Sequence, residues 1–146
     1  MEGKPVSASA IIDRFISSEM ASQGSLLHVI DCLALQVAKK HSGQECVTLG
    51  IDSVRFFNPA RCGDTLIYKA SVNRVWDTSM EIGVKIVAED FRSLDHKDIL
   101  SAYFTFIAVD EELNPIEVTP VIPETPDQCM RFEAAERRRQ TRLFLV

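Results

Sequence analysis

No stretch of this chain approaches the roughly 20 apolar residues that a membrane-spanning helix needs, so no membrane span is expected. The opening "MEGKPVSASA" has no basic segment followed by an apolar core, which argues against a secretory signal. No CxxC pair occurs among Cys32, Cys46, Cys62 and Cys129, and His28, His41 and His96 are dispersed. That spacing speaks against a zinc site and for reduced, buried thiols in a cytoplasmic protein. There is no excess of positive charge. A net charge of −5 argues against general nucleic-acid binding. No linker, repeat or low-complexity block divides the 146 residues, so one domain over 1–146 is expected.

What is present reads as a soluble globular chain, 46% hydrophobic and 25% charged. The segment "GSLLHVIDCLALQVAKK" predicts a helix over about 25–40, stopped by Ser42-Gly43. Its apolar residues cover nearly every side, which predicts burial on most sides. Asp31 is the one acid in it. A carboxylate there is expected to be buried, and is costly unless it is paired or used. Bonding to His28 or to a backbone group is the bland account, and chemistry is the other.

The remainder alternates. "PVSASAIIDRFI" reads as an edge strand. Strands are predicted near 45–57, 65–76, 79–90 and 98–110, with short connections that make the sheet antiparallel. Val47, Leu49 and Ile51 are expected on one face, with a bulge near Asp52 where the phase changes. Asp52 is expected to bond the backbone there. "RSLDHKD" at 92–98 reads as a hairpin loop, and the prolines of "VTPVIPETP" predict an extended crossing. Thr125-Pro126-Asp127-Gln128 fits a capping box that opens a polar helix over about 125–142. Its basic run, Arg137, Arg138, Arg139 and Arg142, fits dipole complementarity and solvation, with phosphate binding as the alternative.

A long apolar helix and a twisted antiparallel sheet satisfy each other if the sheet wraps the helix. At this point the chain resembles the acyl-CoA thioesterases of the hotdog superfamily. "IDCLALQVAKKHSGQECVTLGIDSVRFFNPARCGD" is similar to the family's helix, first long strand and following turn. "NRVWDTSMEIGVKIVAED" and "AYFTFIAVDEELNPIEVTPVIPETPDQCMRFEAAERRR" are similar to its later strands and terminal helix. The resemblance implies an α+β hotdog fold, a long central helix wrapped by a strongly curved antiparallel sheet, plus a C-terminal helix. It implies hydrolysis of fatty acyl-CoA to free fatty acid and CoA, with no cofactor beyond the CoA of the substrate, no metal, and a homodimer or trimer of dimers.

Members of that family carry an asparagine-bearing turn, a glycine pair and then an acid about seven residues on. Asp31 falls on the acid and Gly24 on the second glycine. Gln23 replaces the first glycine, and no asparagine precedes the helix. This departure keeps a second reading open, a non-catalytic or weakly active hotdog protein that binds acyl-CoA or a partner chain. A hotdog dehydratase would need a histidine before the helix, and none is there. Ser25 lies in "QGSLL", which is not GxSxG.

Thioester hydrolysis needs a group that attacks or activates water, and donors for the oxyanion. Asp31 supplies the first. The backbone N–H groups at the helix start, beginning at Gly24, supply the second. Seven residues of helix separate them by roughly 10 Å, whereas reacting atoms need about 3 Å. Gly24 of one subunit and Asp31 of another are therefore expected to share a site. Ser79, which the resemblance places near the CoA diphosphate, and Arg55, which faces away from the apolar side, are the candidates for binding the rest of the substrate.

Overall fold

The alternating segments become long strands. A computed structural model of the chain describes residues 2–16 and 23–145. In order these form β1 (Lys4–Pro5), a 3-10 turn (Val6–Ala8), β2 (Ile11–Ile16), α1 (Gln23–Ser42), β3 (Glu45–Phe56), β4 (Thr65–Trp76), β5 (Ser79–Glu89), β6 (His96–Val109), β7 (Val121–Ile122) and α2 (Pro126–Leu145). One antiparallel sheet runs β2-β4-β5-β6-β3, and β1 pairs with β7 in parallel. The expected N-terminal edge strand is β2. The expected 92–98 loop is shorter than its polarity suggested, because His96, Lys97 and Asp98 already pair with β5.

Period-two alternation sets the faces of the sheet. Leu66, Tyr68, Ala70 and Val72 of β4, Met80, Ile82, Val84 and Ile86 of β5, and Leu100, Ala102, Phe104 and Phe106 of β6 point inward. They pack against Leu26, Ile30, Leu33, Ala34, Val37 and Ala38 of α1. That spacing of four, three, one, three and one residues is a single stripe on a helix. α1 touches β3, β4, β5 and β6 along this stripe. Gly43, at φ 68, ends the helix in the left-handed conformation, with its N–H donating to the Lys39 carbonyl at 2.8 Å.

β3 departs from simple alternation. Its register against β6 shifts between Thr48 and Gly50 and again between Asp52 and Arg55, and Ser53 has φ 52. Leu49 is left over at the first shift, so Val47 stands opposite Ile107 on the outer face and Ile51 opposite Phe104 on the inner one. The single face expected for Val47, Leu49 and Ile51 is split by that extra residue.

α2 lies across the outer face. Its capping box forms as expected: Gln128 N–H donates to Thr125 Oγ1 at 3.1 Å, and Thr125 N–H to Gln128 Oε1 at 3.3 Å. Three of the four arginines of the basic run are docked, while Arg137 is exposed as solvation predicts. Arg138 forms a bidentate pair with Glu81, with both bonds 2.8 Å, and stacks 3.6 Å from the Tyr103 ring. Arg139 donates to Ser79 Oγ at 3.3 Å and lies over Trp76, while Arg142 meets Asp52 at 2.7 Å. Asp52 thus pairs with α2, not with the local backbone. The helix looked free in sequence because its partners, Asp52, Ser79 and Glu81, lie on distant strands.

Glu81 is fully buried, so Arg138→Ala strands a carboxylate inside the protein. We expect a loss of about 3 kcal/mol, the lower end for breaking a buried pair, read as a lower urea midpoint. A second prediction comes from His41, also fully buried. Its Nε2–H donates to the Thr119 carbonyl at 2.8 Å, and Nδ1 has no partner. Burial pushes this imidazole below its ordinary range, opposed by the bond to Thr119 and assisted by Lys4. The fold therefore binds fewer protons here than the unfolded chain. The stability from neutral His41 is complete above about pH 6.5 and is lost as pH falls below it. Urea midpoints at pH 7.5 and 5.5 should differ in that direction, and His41→Gln should reduce the difference.

Candidate active site

α1 is not apolar all round. Gly24, Ser25, His28, Val29, Asp31, Cys32 and Gln36 are exposed along one side, opposite the core stripe. Asp31 is therefore not a buried carboxylate. It projects from an open helix face on which it sits two turns after Gly24, because seven residues bring a helix back to nearly the same azimuth. The bond to His28 that the bland account offered does not form. His28 Nε2 instead lies 4.0 Å from Cys32 Sγ. The sequence misled because Val29, Cys32 and Leu35 are apolar yet sit on or beside the open face. Only an inward stripe can be covered by one sheet.

Among the described residues nothing explains Gly24. A Cβ added there would meet nothing within 4 Å, and its φ lies outside the left-handed region. Space for a side chain exists among the described residues, which leaves room for a group approaching the helix start from outside. Gln23 opens α1, but its side chain lies outside the described residues, as do residues 17–22, on which the family's asparagine-bearing turn would fall.

The two binding candidates lie elsewhere. Ser79 is on the outer face, level with Ile107 of β6, and bonds the Trp76 carbonyl at 3.4 Å as well as accepting from Arg139. Arg55 is exposed on the same face, opposite Ser101. Six residues of β6 separate these levels, roughly 20 Å at about 3.4 Å per residue. Within one chain the structure brings neither to Asp31, and does not bring them together.

Cys32, Cys62 and Cys129 are exposed and Cys46 half-buried, none of them in a disulfide, so the expectation of burial fails for three. Among the described residues no group of three or more histidine, cysteine or acidic side chains is placed to hold a metal ion.

A long helix packed on one face of a five-stranded antiparallel sheet defines the hotdog fold. A crystal structure of an acyl-CoA hydrolase from Bacillus cereus superposes with TM-score 0.93 at 30% identity, covering 98% of this chain and 92% of that one. An apo-hexameric acyl-CoA thioesterase superposes at 0.92 with 29% identity, covering 97% and 96%. The thioesterase superfamily model matches residues 20–93. Protein VdlD of Helicobacter pylori is 34% identical over 119 residues, 82% of this chain and 68% of that protein. The chain belongs to the thioesterase superfamily. It is also 36% identical over 122 residues, 84% of its length, to mouse acyl-coenzyme A thioesterase 11, but spans only 20% of that longer protein.

Proposed function

We propose that this chain hydrolyses acyl-CoA thioesters to a carboxylic acid and CoA, at sites shared between two subunits. The observation that carries the reading is the pairing of Gly24 and Asp31 on one open face of a superfamily helix. Asp31 activates water or attacks the thioester carbonyl, and the first-turn N–H groups at Gly24 receive the oxyanion. The bond to sulfur then breaks and CoA leaves as the thiol. A crystal structure of the Staphylococcus aureus acyl-CoA hydrolase, 32% identical, is a complex with butyryl coenzyme A, coenzyme A and coenzyme A disulfide. That enzyme supports acyl-CoA as the substrate class.

Other structures of the same enzyme carry alanine at an aspartate and at a threonine seventeen residues further on. Asp31 and Thr48 have the same spacing here. Thr48 is exposed on β3, level with the inward-facing Phe106, so it belongs to the α1 side of the sheet. We add Thr48 to the site as a candidate for orienting water, a residue that alternation alone passed over as ordinary strand. Arg55 is proposed as a cation for the CoA phosphates, and Ser79, at a distant level of the same face, as a hydroxyl for a separate part of the substrate.

The two subunits are proposed to pair along β3. It is a twelve-residue sheet edge, and Val47, Leu49, Ile51 and Val54 are between 37% and 61% exposed. A long, apolar, unpaired edge is a template for another strand. The hexameric relative supports assembly, and a trimer of such dimers is the proposed full state.

The acyl-CoA binder remains the alternative on one observation. The S. aureus enzyme was also solved with an asparagine, fifteen residues before the altered aspartate, replaced by alanine, and here no asparagine precedes Asn58. Gln23 is the proposed substitute. Free-thiol release measured across acyl-CoA chain lengths decides between them. Hydrolysis of one class of chain supports the enzyme, and binding of CoA esters without thiol release supports the binder.

A further inference from the structure

The outer face of the sheet holds a charge arrangement that the fold does not use and that the proposed reaction uses only at its β3 end, Arg55. One cross-strand row runs Ile12, Lys69, Lys85, Ser101 and Arg55, in register from β2 to β3. Lys69 and Lys85 stand directly opposite each other, where like charges destabilise a sheet. Asp98 compensates Lys85 at 3.2 Å. Among the described residues Lys69 forms no ion pair within 4 Å. A chain with 21 acidic and 16 basic residues has acids to spare, yet none of the described ones pairs with Lys69.

A groove of about 350 Å³ lies over the row, within the range of small-ligand sites. Val6, Ile11 and Ile12 give it an apolar wall, and Ile12 is 59% exposed. Arg131 of α2 adds a third cation. The floor is low because Ser71, Gly83 and Ser101 are small. Gly83 is fixed as glycine, since a Cβ there would come 2.7 Å from Asn73 Nδ2, and Asn73 is itself held at 2.9 Å by the buried Glu81. The depth of the groove is thus built into the packing.

We propose that this groove binds an organic monoanion with an apolar tail, a short- or medium-chain fatty carboxylate. The carboxylate meets Lys69 and Arg131, and the tail lies along Val6 and Ile12. This deepens the hydrolase reading, because such a carboxylate is the acid that thioester hydrolysis releases. The sheet separates the groove from α1, so the acid held there senses product without occupying the reaction site. A locally unfavourable arrangement of charge is the kind of exception that marks a functional surface.

Calorimetric titration of the intact protein with octanoate tests this, with acetate, octanol and inorganic phosphate as comparison ligands. Octanoate is expected to bind at least ~10-fold more tightly than any of the three, since head and tail each contribute. Lys69→Met and Arg131→Met should each weaken octanoate by about 10-fold or more, the scale of one charge-assisted hydrogen bond, with basal thiol release unchanged. Unaltered octanoate affinity in both variants would overturn the proposal, as would acetate or phosphate binding equally tightly. Octanoate bound through Lys69, with no thiol release from any acyl-CoA, sinks only the hydrolase reading. Thiol release with no binding that depends on Lys69 sinks only the groove.

Discussion

Asp31→Asn is expected to lower acyl-CoA turnover by at least ~100-fold, the lower end for losing a general base. Stability should stay within about 0.5 kcal/mol of the parent, the ordinary range for a surface substitution. Both halves follow from where the carboxylate sits. It projects from the exposed side of α1, outside the stripe formed by Ile30, Leu33 and Ala34. No core packing is lost, and asparagine keeps the shape while removing the negative charge. A structural acid would show the opposite pattern, a lower melting temperature with turnover falling only as far as folding does. Thiol release and thermal melting on the same preparation separate the two.

The second large effect is expected at a distance from any reacting group. Val47→Lys together with Leu49→Lys should convert the proposed oligomer to monomers and lower turnover by at least ~100-fold, although neither residue belongs to the catalytic set. Lysine on a sheet edge is a common protection against strand pairing. Turnover follows because the two halves of the site cannot meet in one chain. Gly24 and Asp31 are about 10 Å apart along α1 at ~1.5 Å per residue, and a single thioester carbonyl needs both within about 3 Å. Sedimentation velocity and thiol release on the double variant check this. Asp31→Asn should remain fully assembled, so the two variants lose activity for different reasons. A monomeric double variant with parental turnover would remove the shared site.

The order of elements was legible because the strands alternate cleanly and their turns are marked by residues such as Pro59, Gly63 and the Thr125–Gln128 box. Placement relative to the sheet was not. Glu81 reads as the polar half of an alternating strand, and its burial depends on Arg138, 57 residues away. Asp52 reads as a bulge residue, and its partner Arg142 is 90 residues away. Asp31 was singled out partly for a mistaken reason, burial, and partly because the resemblance places the family's acid there. The open face of α1 is set by which side the sheet leaves uncovered, and the apolar Val29 and Leu35 concealed that side. Gly24 stands differently. Sequence flagged it through the resemblance, and the structure adds that nothing among the described residues asks for a glycine there.

The shared site is tested most directly by mixing two inactive proteins, Asp31→Asn and Gly24→Leu. The structure has room for a side chain at Gly24, so the leucine should block an incoming substrate without disturbing its own chain. In a two-fold dimer, a mixed pair places both defects in one site and leaves the other intact. Random reassortment of equal amounts makes half the dimers mixed, so about a quarter of parental thiol release should return. Recovery to that level from two silent parents is the predicted result. Mixed dimers that form, verified by mass, and stay silent would contradict a site built from Gly24 of one subunit and Asp31 of the other.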